Sequence, residues 1–278
     1  MRSLFTRGMI VTCAAAAAAC GAQEQPVVEQ VAPAAPNVVE VTATDYAFAM
    51  PDTLASGVTT FRLINQGAEL HHLVLTRIPD GMTLSDFAKL PEGPPPAGAV
   101  MIGGPNPAAP GGSAEATLDL APGQYTVICV IPSPDGKAHV TKGMMRGLVV
   151  TAGAATAALP TPDVTVTLTD YDFQFSAPLT AGRRVIRIEN NAEQPHELVV
   201  VKLNAGKTAQ DFADWAMKME GPPPGMPVPG ASPMSKGMSN TVVVDVTPGD
   251  YALVCFVPDA KDGRPHLAHG MLKQITVN

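Results

Sequence analysis

The feature that most constrains the fold of this chain is an internal repeat. The sequence aligns with itself at an offset that drifts only from 125 to 128 residues. The matched segments are Thr44-Asp45-Tyr46 and Thr169-Asp170-Tyr171, Asn65 to His71 and Asn190 to His196, Glu92 to Pro96 and Glu220 to Pro224, Pro122 to Cys129 and Pro248 to Cys255, and His139 to Met144 and His266 to Met271. A duplication on this scale predicts two copies of one domain, a first repeat at residues 37–151 and a second at residues 163–278, joined by a linker at residues 152–162.

The N-terminus is predicted to be a targeting segment rather than part of the fold. Arg2 and Arg7 precede a short apolar run that ends in small residues, which is typical of a signal peptide over residues 1–19. The run Ala17-Ala18-Ala19-Cys20-Gly21 at the end of this segment resembles a bacterial lipoprotein cleavage box and predicts a lipid on Cys20, with ordinary signal cleavage as the alternative. Residues 20–36 are then a flexible tether. The predicted location is the periplasm, with the protein anchored to the membrane by its N-terminal lipid.

Composition and patterning predict an all-β fold. Charged residues are only 15% of a chain with 28 Pro and 25 Gly, and each repeat has six short runs in which apolar and polar residues alternate between turns. These runs are Val38–Thr44, Thr59–Asn65, His72–Ile78, Ala114–Leu120, Tyr125–Ile131 and Arg146–Thr151, then Val164–Thr169, Val185–Glu189, Glu197–Leu203, Thr241–Val246, Tyr251–Val257 and Leu272–Val277. Six short strands per repeat predict a Greek-key β-sandwich or barrel.

Each repeat also carries one predicted helix. The pairs Thr83 with Asp86 and Thr208 with Asp211 have the spacing of capping boxes. They predict short helices over Leu84–Leu90 and Ala209–Met219.

Each repeat contains one His, Cys, His, Met set. Copper is bound by two imidazoles and one thiolate in a trigonal site with a weak axial Met. The predicted ligands are His71, Cys129, His139 and Met144 in the first repeat and His196, Cys255, His266 and Met271 in the second. In each repeat the first His lies at the head of a predicted strand, and the other three residues lie in the loop between the last two strands. A lone Cys per repeat has a second interpretation, a buried apolar core residue.

Both repeats resemble the cupredoxins of the plastocyanin and azurin type. The motifs that carry the resemblance are Asn-x5-His, Pro-Gly-x-Tyr-x3-Cys and His-x3-Gly-Met, which occur in this order in each repeat and together span most of it. The resemblance implies a cupredoxin-like sandwich in each repeat, one copper ion held by each ligand set, and electron transfer as the function.

The sequence departs from that family between the Cys and the second His. Nine residues separate them in the first repeat and ten in the second, where blue-copper proteins have only a few. A loop three times longer costs about 1 kcal/mol in closure entropy, which does not prevent a site. The longer loop leaves three outcomes open: loosely held copper, Cu(I) only, or no copper. The residue after the first His, often Asn in the family, is His72 or Glu197 here, so the hydrogen bonds around the thiolate are expected to differ.

Several other features have alternative interpretations. His269 is an exposed loop residue or a spare ligand, and the segments Glu92 to Pro96 and Glu220 to Pro224 are rigid turns or a docking element. The methionines of the second repeat either fill gaps in the core or hold Cu(I) near a Pro-rich loop. They are Met217, Met219, Met226, Met234 and Met238. The pairs Asp45-Tyr46 and Asp170-Tyr171 are interpreted as strand-packing features.

The leading functional hypothesis is an exported electron-transfer protein with one type-1-like copper site per repeat. The alternatives are a copper-binding or delivery protein without redox turnover and an interaction protein that keeps the fold without metal. A copper enzyme is not expected, because such enzymes place a His beside the Cys. The residues beside the two cysteines are Ile128, Val130, Val254 and Phe256.

The net charge of the chain limits which classes of binding partner are expected. The chain has a net charge of −7, and removal of residues 1–19 takes away Arg2 and Arg7 and no acidic residue, which changes it to −9. An acidic chain without a basic cluster argues against nucleic acid as a partner. It fits a basic redox partner protein, with membrane contact only through the N-terminal lipid.

Overall fold

The protein is described by a computed structural model that covers residues 35–89, 95–153 and 157–278. The predicted signal peptide, the lipid site at Cys20 and nearly all of the tether lie outside these residues. Among the helices of the described ranges, none has the length and apolar character needed to cross a bilayer.

The two repeats consist mainly of short strands. The first repeat contains β1 (Asn37–Thr44), β2 (Ala47–Ala49), β3 (Thr53–Ala55), β4 (Gly57–Asn65), β5 (Val74–Arg77), α1 (Leu84–Phe87), β6 (Val100–Gly103), β7 (Pro105–Asn106), β8 (Ser113–Leu120), β9 (Gly123–Ile128), the 3-10 helix η1 (His139–Lys142) and β10 (Met145–Thr151). The second repeat contains β11 (Val164–Thr169), β12 (Asp172–Phe175), β13 (Gly182–Asn190), β14 (His196–Leu203), α2 (Ala209–Ala216), β15 (Gly225–Met234), β16 (Ser239–Val246), β17 (Gly249–Val254), the 3-10 helix η2 (His266–His269) and β18 (Leu272–Val277).

All twelve predicted strands are present, with ends that differ by at most three residues, so the all-β prediction is confirmed. Alternation of buried and exposed side chains, as in β11, is what made them recognisable. Six strands were not predicted: β2, β3, β6, β7, β12 and β15.

β15 is the most informative of the missed strands. It contains Pro227, Pro229 and Pro233, which remove ladder donors and indicated a Pro-rich loop. That interpretation is wrong, because β15 pairs with β14 along an irregular register that shifts twice. Its other edge meets only the short strands β6 and β7. A ladder with so many interruptions has positions where a proline costs no hydrogen bond.

Both helices begin where predicted and end earlier. Thr83 and Thr208 form complete capping boxes with Asp86 and Asp211. The first helix stops after four residues and buries none of them, so no packing extends it. The second ends at Ala216, and Met219 takes a left-handed φ of 51° that no helix continues.

The strands form two sheets that both continue from one repeat into the other. One sheet has the order β12-β11-β13-β16-β8-β4-β1-β2, and the other has the order β18-β17-β14-β15-β6-β5-β9-β10-β3, with β7 also paired to β15. The repeats meet at Thr117 with Thr241, and at Asn106 with Gly230. Each junction joins equivalent strands of the two repeats. One buried apolar cluster draws on both repeats, and the sheets belong to one compact unit. The boundaries at 37–151, 152–162 and 163–278 stay a prediction.

Candidate metal centres

The first imidazole of each set follows a turn that an asparagine shapes. Asn65, at the end of β4, donates from its amide nitrogen to the carbonyl oxygens of Glu69 and Ala108 at 2.8 and 2.9 Å and accepts from Gly67 N at 2.8 Å. His71 then exchanges two backbone hydrogen bonds with Ala108, at 3.1 and 2.8 Å. The equivalent bonds of the second repeat join Asn190 to Gln194, Met234 and Ala192 at 2.8, 2.7 and 2.9 Å. The Asn-x5-His spacing therefore belongs to a turn that fixes the position of the imidazole.

The tyrosine of the Pro-Gly-x-Tyr motif anchors the strand that leads to the cysteine. The buried Tyr125 of β9 donates from its hydroxyl to Ala121 O at 2.7 Å. Tyr251 of β17 makes the equivalent bond to the carbonyl four residues before it, also at 2.7 Å. Cys129 and Cys255 directly follow the last residues of these strands and have no exposed surface. The anchored strand thus fixes where each thiol lies.

A glycine sets the turn between the second His and the Met. Gly143 and Gly270 end the 3-10 helices with φ of 102° and 99°, a left-handed conformation that glycine adopts without a Cβ penalty. The turn lets Met144 N donate to His139 O at 3.1 Å, while Met144 O accepts from Cys129 N at 3.3 Å. The two predicted methionine ligands, Met144 and Met271, are fully buried.

The long segment between the Cys and the second His closes into a hairpin. Residues 132–138 are bridged at their ends, and the amides of His139 and Val140 donate to Ile131 O and Cys129 O at 3.0 and 2.8 Å. The second repeat has a bridge at residues 258–265 and bonds from His266 to Val257 and from Leu267 to Cys255, both at 2.9 Å. The extra residues close on themselves, so backbone hydrogen bonds rather than loop length set the separation of the Cys and the His.

In the first repeat the two imidazoles and the thiol form one buried cluster. Nδ1 of His71 lies 3.1 Å from Nδ1 of His139, which lies 3.4 Å from Sγ of Cys129. The outer Nε2 of His71 donates to a carboxylate oxygen of Asp45 at 2.7 Å. The outer Nε2 of His139 donates to a carboxylate oxygen of Glu69 at 2.8 Å. Each imidazole is thus held from outside by a carboxylate.

The second repeat has the same cluster with weaker outer partners. Sγ of Cys255 lies 3.8 Å from Nδ1 of His196 and 3.5 Å from Nδ1 of His266. Nε2 of His196 donates to Asp170 at 3.1 Å. Nε2 of His266 faces the neutral amide oxygen of Gln194 at 3.4 Å and the carboxylate of Asp259 at 3.7 Å.

The orientation of the imidazoles in the first repeat fits a cation between them. A carboxylate only accepts hydrogen bonds, so Nε2 carries the proton in both His71 and His139. Both Nδ1 atoms then present lone pairs to each other at 3.1 Å, an arrangement that repels until a cation shares them. Imidazoles oriented by outer carboxylates are the usual state of metal-binding histidines. Two such nitrogens beside a buried thiol suit copper.

Burial keeps the ligand atoms ready for a metal. It lowers the pKa of His71 and His196 and, together with the neighbouring imidazole, brings the pKa of His266 to about 4, so these rings are neutral at pH 7. Burial also raises the pKa of Cys129 to about 11 and raises that of Cys255, whose thiol also lies near the Glu197 carboxyl. Copper would displace the thiol proton and supply the positive charge that the cluster lacks.

The outer partners of the imidazoles were missed in the sequence. The pairs Asp45-Tyr46 and Asp170-Tyr171 were interpreted as strand-packing features, but Asp45 and Asp170 bind the first imidazole of each cluster. Tyr46 donates to Glu69 at 2.7 Å. This bond, with the one from His139, lowers the pKa of Glu69 against the effect of burial. The repetition of Thr-Asp-Tyr at the same offset as the ligands was the signal that could have identified them.

The other candidate residues lie outside the two clusters. His269 is half-buried and pairs with Asp262 at 3.1 Å. Met217, Met219 and Met226 are exposed, whereas Met234 is fully buried and Met238 packs against the core. Residues 220–224 form the bend between α2 and β15, and the equivalent segment of the first repeat lies partly outside the described residues.

Comparison with known proteins finds matches among solved structures only. No protein-family profile and no curated protein matches the chain. Dithionite-reduced auracyanin from the photosynthetic bacterium Roseiflexus castenholzii is 24% identical over 42% of this chain and 99% of its own, with a TM-score of 0.29. The Cu-containing nitrite reductase of Thermus scotoductus is 15% identical over 87% of this chain and 61% of its own, with a TM-score of 0.25. A multicopper oxidase is 12% identical over 87% of this chain and 88% of its own, with a TM-score of 0.26.

These scores are low, so the two-sheet architecture and the buried His-Cys-His clusters decide the assignment. The fold is cupredoxin-like. The cofactor that the two clusters fit is copper, as the sequence predicted.

The expectation that the chain is not an enzyme is not upheld. Solved structures that match it include a nitrite reductase and a multicopper oxidase, which are enzymes. Carriers and enzymes share this fold, so the residues beside each Cys are not enough to exclude an enzyme.

Proposed function

We propose that this chain is an exported copper-binding electron-transfer protein with one type-1-like copper site in each repeat. The observation that supports the proposal most directly is the pair of imidazole lone pairs that face each other at 3.1 Å beside the Cys129 thiol. Copper bound there supplies a one-electron couple. A metal-free interaction protein would gain nothing from burying two repelling nitrogens.

The protein's own contribution is to hold the ligands still. The imidazoles are fixed by Asp45, Glu69 and Asp170, and the backbone around each cluster is closed by the hairpins and by the glycine turns. A ligand set that moves little between oxidation states favours fast electron transfer. This rigidity supports a carrier over a protein that releases its metal for delivery.

Copper titration of the full chain tests the proposal. We expect the intense visible absorption of a Cu(II)–thiolate bond and two coppers per chain. Cys129→Ser and Cys255→Ser should each remove one copper and its share of the absorption, and the double variant should remove both. His269→Ala is the matched control and should remove neither. Absence of binding of either oxidation state contradicts the proposal, and tight Cu(I) binding without reversible oxidation favours delivery instead.

Export and lipid attachment complete the proposal and are supported by the sequence of residues 1–36, the predicted signal peptide and tether. In cells, we expect the mature protein to begin at Cys20 and to fractionate with membranes. Cys20→Ser should release it to the soluble exported fraction. Retention of the uncleaved N-terminus would contradict export.

The proposed partner is a basic redox protein, because the exported chain carries a net charge of −9 once Arg2 and Arg7 are removed. Screening at high salt should slow electron exchange with such a partner.

A further inference from the structure

Three buried polar side chains at the junction of the repeats have no part in the two ligand sets. They are His72, Asn106 and Glu197, and all three are at least 95% buried. Burying an imidazole, an amide and a carboxyl together is costly unless they satisfy one another. Their hydrogen bonds therefore indicate what the group is for.

In the first repeat, the chain of bonds starts at the residue after the thiol. Val130 N donates to Nε2 of His72 at 3.0 Å, so Nε2 carries no proton. Because Nε2 accepts this hydrogen bond, the ring proton lies on Nδ1. That nitrogen donates to Oδ1 of Asn106 at 3.3 Å.

In the second repeat, the chain continues to the residue after the other thiol. Nδ2 of Asn106 donates to Oε2 of Glu197 at 2.9 Å, and Phe256 N donates to Oε1 of Glu197 at 3.0 Å. Val130 and Phe256 directly follow Cys129 and Cys255. Four hydrogen bonds thus join the two cysteines through three side chains.

We infer that His72, Asn106 and Glu197 form an electron-transfer path between the two copper centres, an inference that rests on the proposed function. With copper held in both clusters, one electron would pass from a reduced centre to an oxidised one. The exchange is balanced without a proton, a co-reactant or a change in any covalent bond.

The residue types suit this role. An imidazole, an amide and a carboxylate each lead from one hydrogen bond to the next through a single sp² carbon, so each side chain adds only two conjugated bonds to the path. His72 and Glu197 occupy the same position in the two repeats but have diverged into a donor and an acceptor. The amide of Asn106 has an acceptor oxygen on one side and a donor nitrogen on the other, which matches that divergence, and its nitrogen also donates to Ala231 O at 3.4 Å.

Two other buried polar side chains of the junction do not share this arrangement. Ser232, at the position equivalent to Asn106, donates to Pro105 O at 3.1 Å. Asn240 accepts from Gly104 N at 2.7 Å and donates to Ile102 O at 2.8 Å. Both side chains satisfy backbone groups and lead to neither thiol. Asn106 differs from both, because its amide links the side chains of His72 and Glu197 in addition to its contact with Ala231 O.

The test measures electron exchange inside the copper-loaded full chain. The spectra of Cys129→Ser and Cys255→Ser proteins identify each centre. A pulse of a one-electron reductant, at less than one electron per chain, is followed by visible absorption and freeze-quench EPR. We expect relaxation between the centres at a rate independent of protein concentration. Asn106→Leu should slow it at least tenfold with both coppers still bound. The matched control Ser232→Ala should keep the original rate.

A second variant breaks the path with almost no change in side-chain volume. Glu197→Gln is nearly isosteric, but its oxygen must face Phe256 N, so its amide donor faces the donor of Asn106 and that link breaks. It should also slow the exchange. Unchanged rates in Asn106→Leu and Glu197→Gln, with both coppers bound, overturn the path and leave the proposed function intact.

A measurement on the copper-free chain distinguishes failure of the electron-transfer path from failure of the proposed function. In the ¹⁵N NMR spectrum of the copper-free chain, His72 should carry a slowly exchanging proton on Nδ1 that Asn106→Leu exposes to exchange. A proton on Nε2 overturns the path. Failure of both repeats to bind copper, with His72 protonated on Nδ1, overturns the proposed function and the path with it.

Discussion

At the scale of single residues, the two clusters differ in what holds the second imidazole. His139 donates to the carboxylate of Glu69 at 2.8 Å, whereas His266 faces the neutral oxygen of Gln194 at 3.4 Å. Glu69 and Gln194 are equivalent positions of the repeat. A carboxylate partner makes an imidazole a stronger ligand, and loss of such a partner typically costs 10- to 100-fold in metal affinity. The two repeats are therefore expected to bind copper unequally.

Exchanging these two residues tests that expectation. Glu69→Gln should weaken Cu(II) binding in the first repeat about tenfold, because it removes the charge and keeps an acceptor. Gln194→Glu should strengthen binding in the second. Each is measured by competition with a chelator in a chain whose other site is disabled by a Cys→Ser change. Glu115→Gln, which alters an exposed pair with Arg62, is the control. Affinities that stay the same after both exchanges would contradict the argument.

At the scale of elements, the same capping box begins two helices that differ in how much they contribute to the core. α1 has four residues and buries none of them, whereas α2 has eight and buries Phe212 with two alanines. Phe212 and its neighbours pack on a small cluster with Val199 and Val254. Because α2 buries core residues, loss of its N-cap is expected to lower the stability of the whole fold.

Removing each cap should show this difference. Thr208→Ala should lower the free energy of unfolding by about 1 kcal/mol, the usual cost of losing an N-cap. Thr83→Ala should have a much smaller effect, because fraying of α1 exposes no core residue. Urea unfolding of the metal-free chain measures both. Equal losses would mean that α1 contributes more to the fold than its burial indicates.

At the scale of the whole molecule, two continuous sheets and a shared core make the repeats depend on each other. Antiparallel pairing of equivalent edges covers strands that would otherwise attract other chains. The single Trp of the chain, Trp215, lies on α2 of the second repeat and reports on that repeat alone. It therefore serves as a probe of the coupling.

We expect a destabilising core substitution in the first repeat to lower the unfolding midpoint reported by Trp215 in the second. Leu63 is fully buried in β4, and Leu63→Ala should cost about 2–5 kcal/mol. The midpoint of urea unfolding followed by Trp215 fluorescence should fall together with that followed by circular dichroism. Val149→Ala, at a side chain that is 46% exposed, should shift neither by more than about 0.5 kcal/mol. A Trp215 transition unaffected by Leu63→Ala would mean that the repeats unfold independently.

The sequence by itself determined the repeat, twelve strands, both capping boxes and the order of the His, Cys, His and Met residues. These features are local: alternation, caps and glycine turns depend on neighbours within a few positions, as Gly143 illustrates. The tertiary structure alone decided the outer partners of the imidazoles, the pairing of the Pro-rich β15 and the bridge at Asn106. Asn106 and Glu197 are 91 residues apart and meet only because equivalent strand edges pair at the junction. Such contacts follow from how sheets assemble, which no short stretch of sequence encodes.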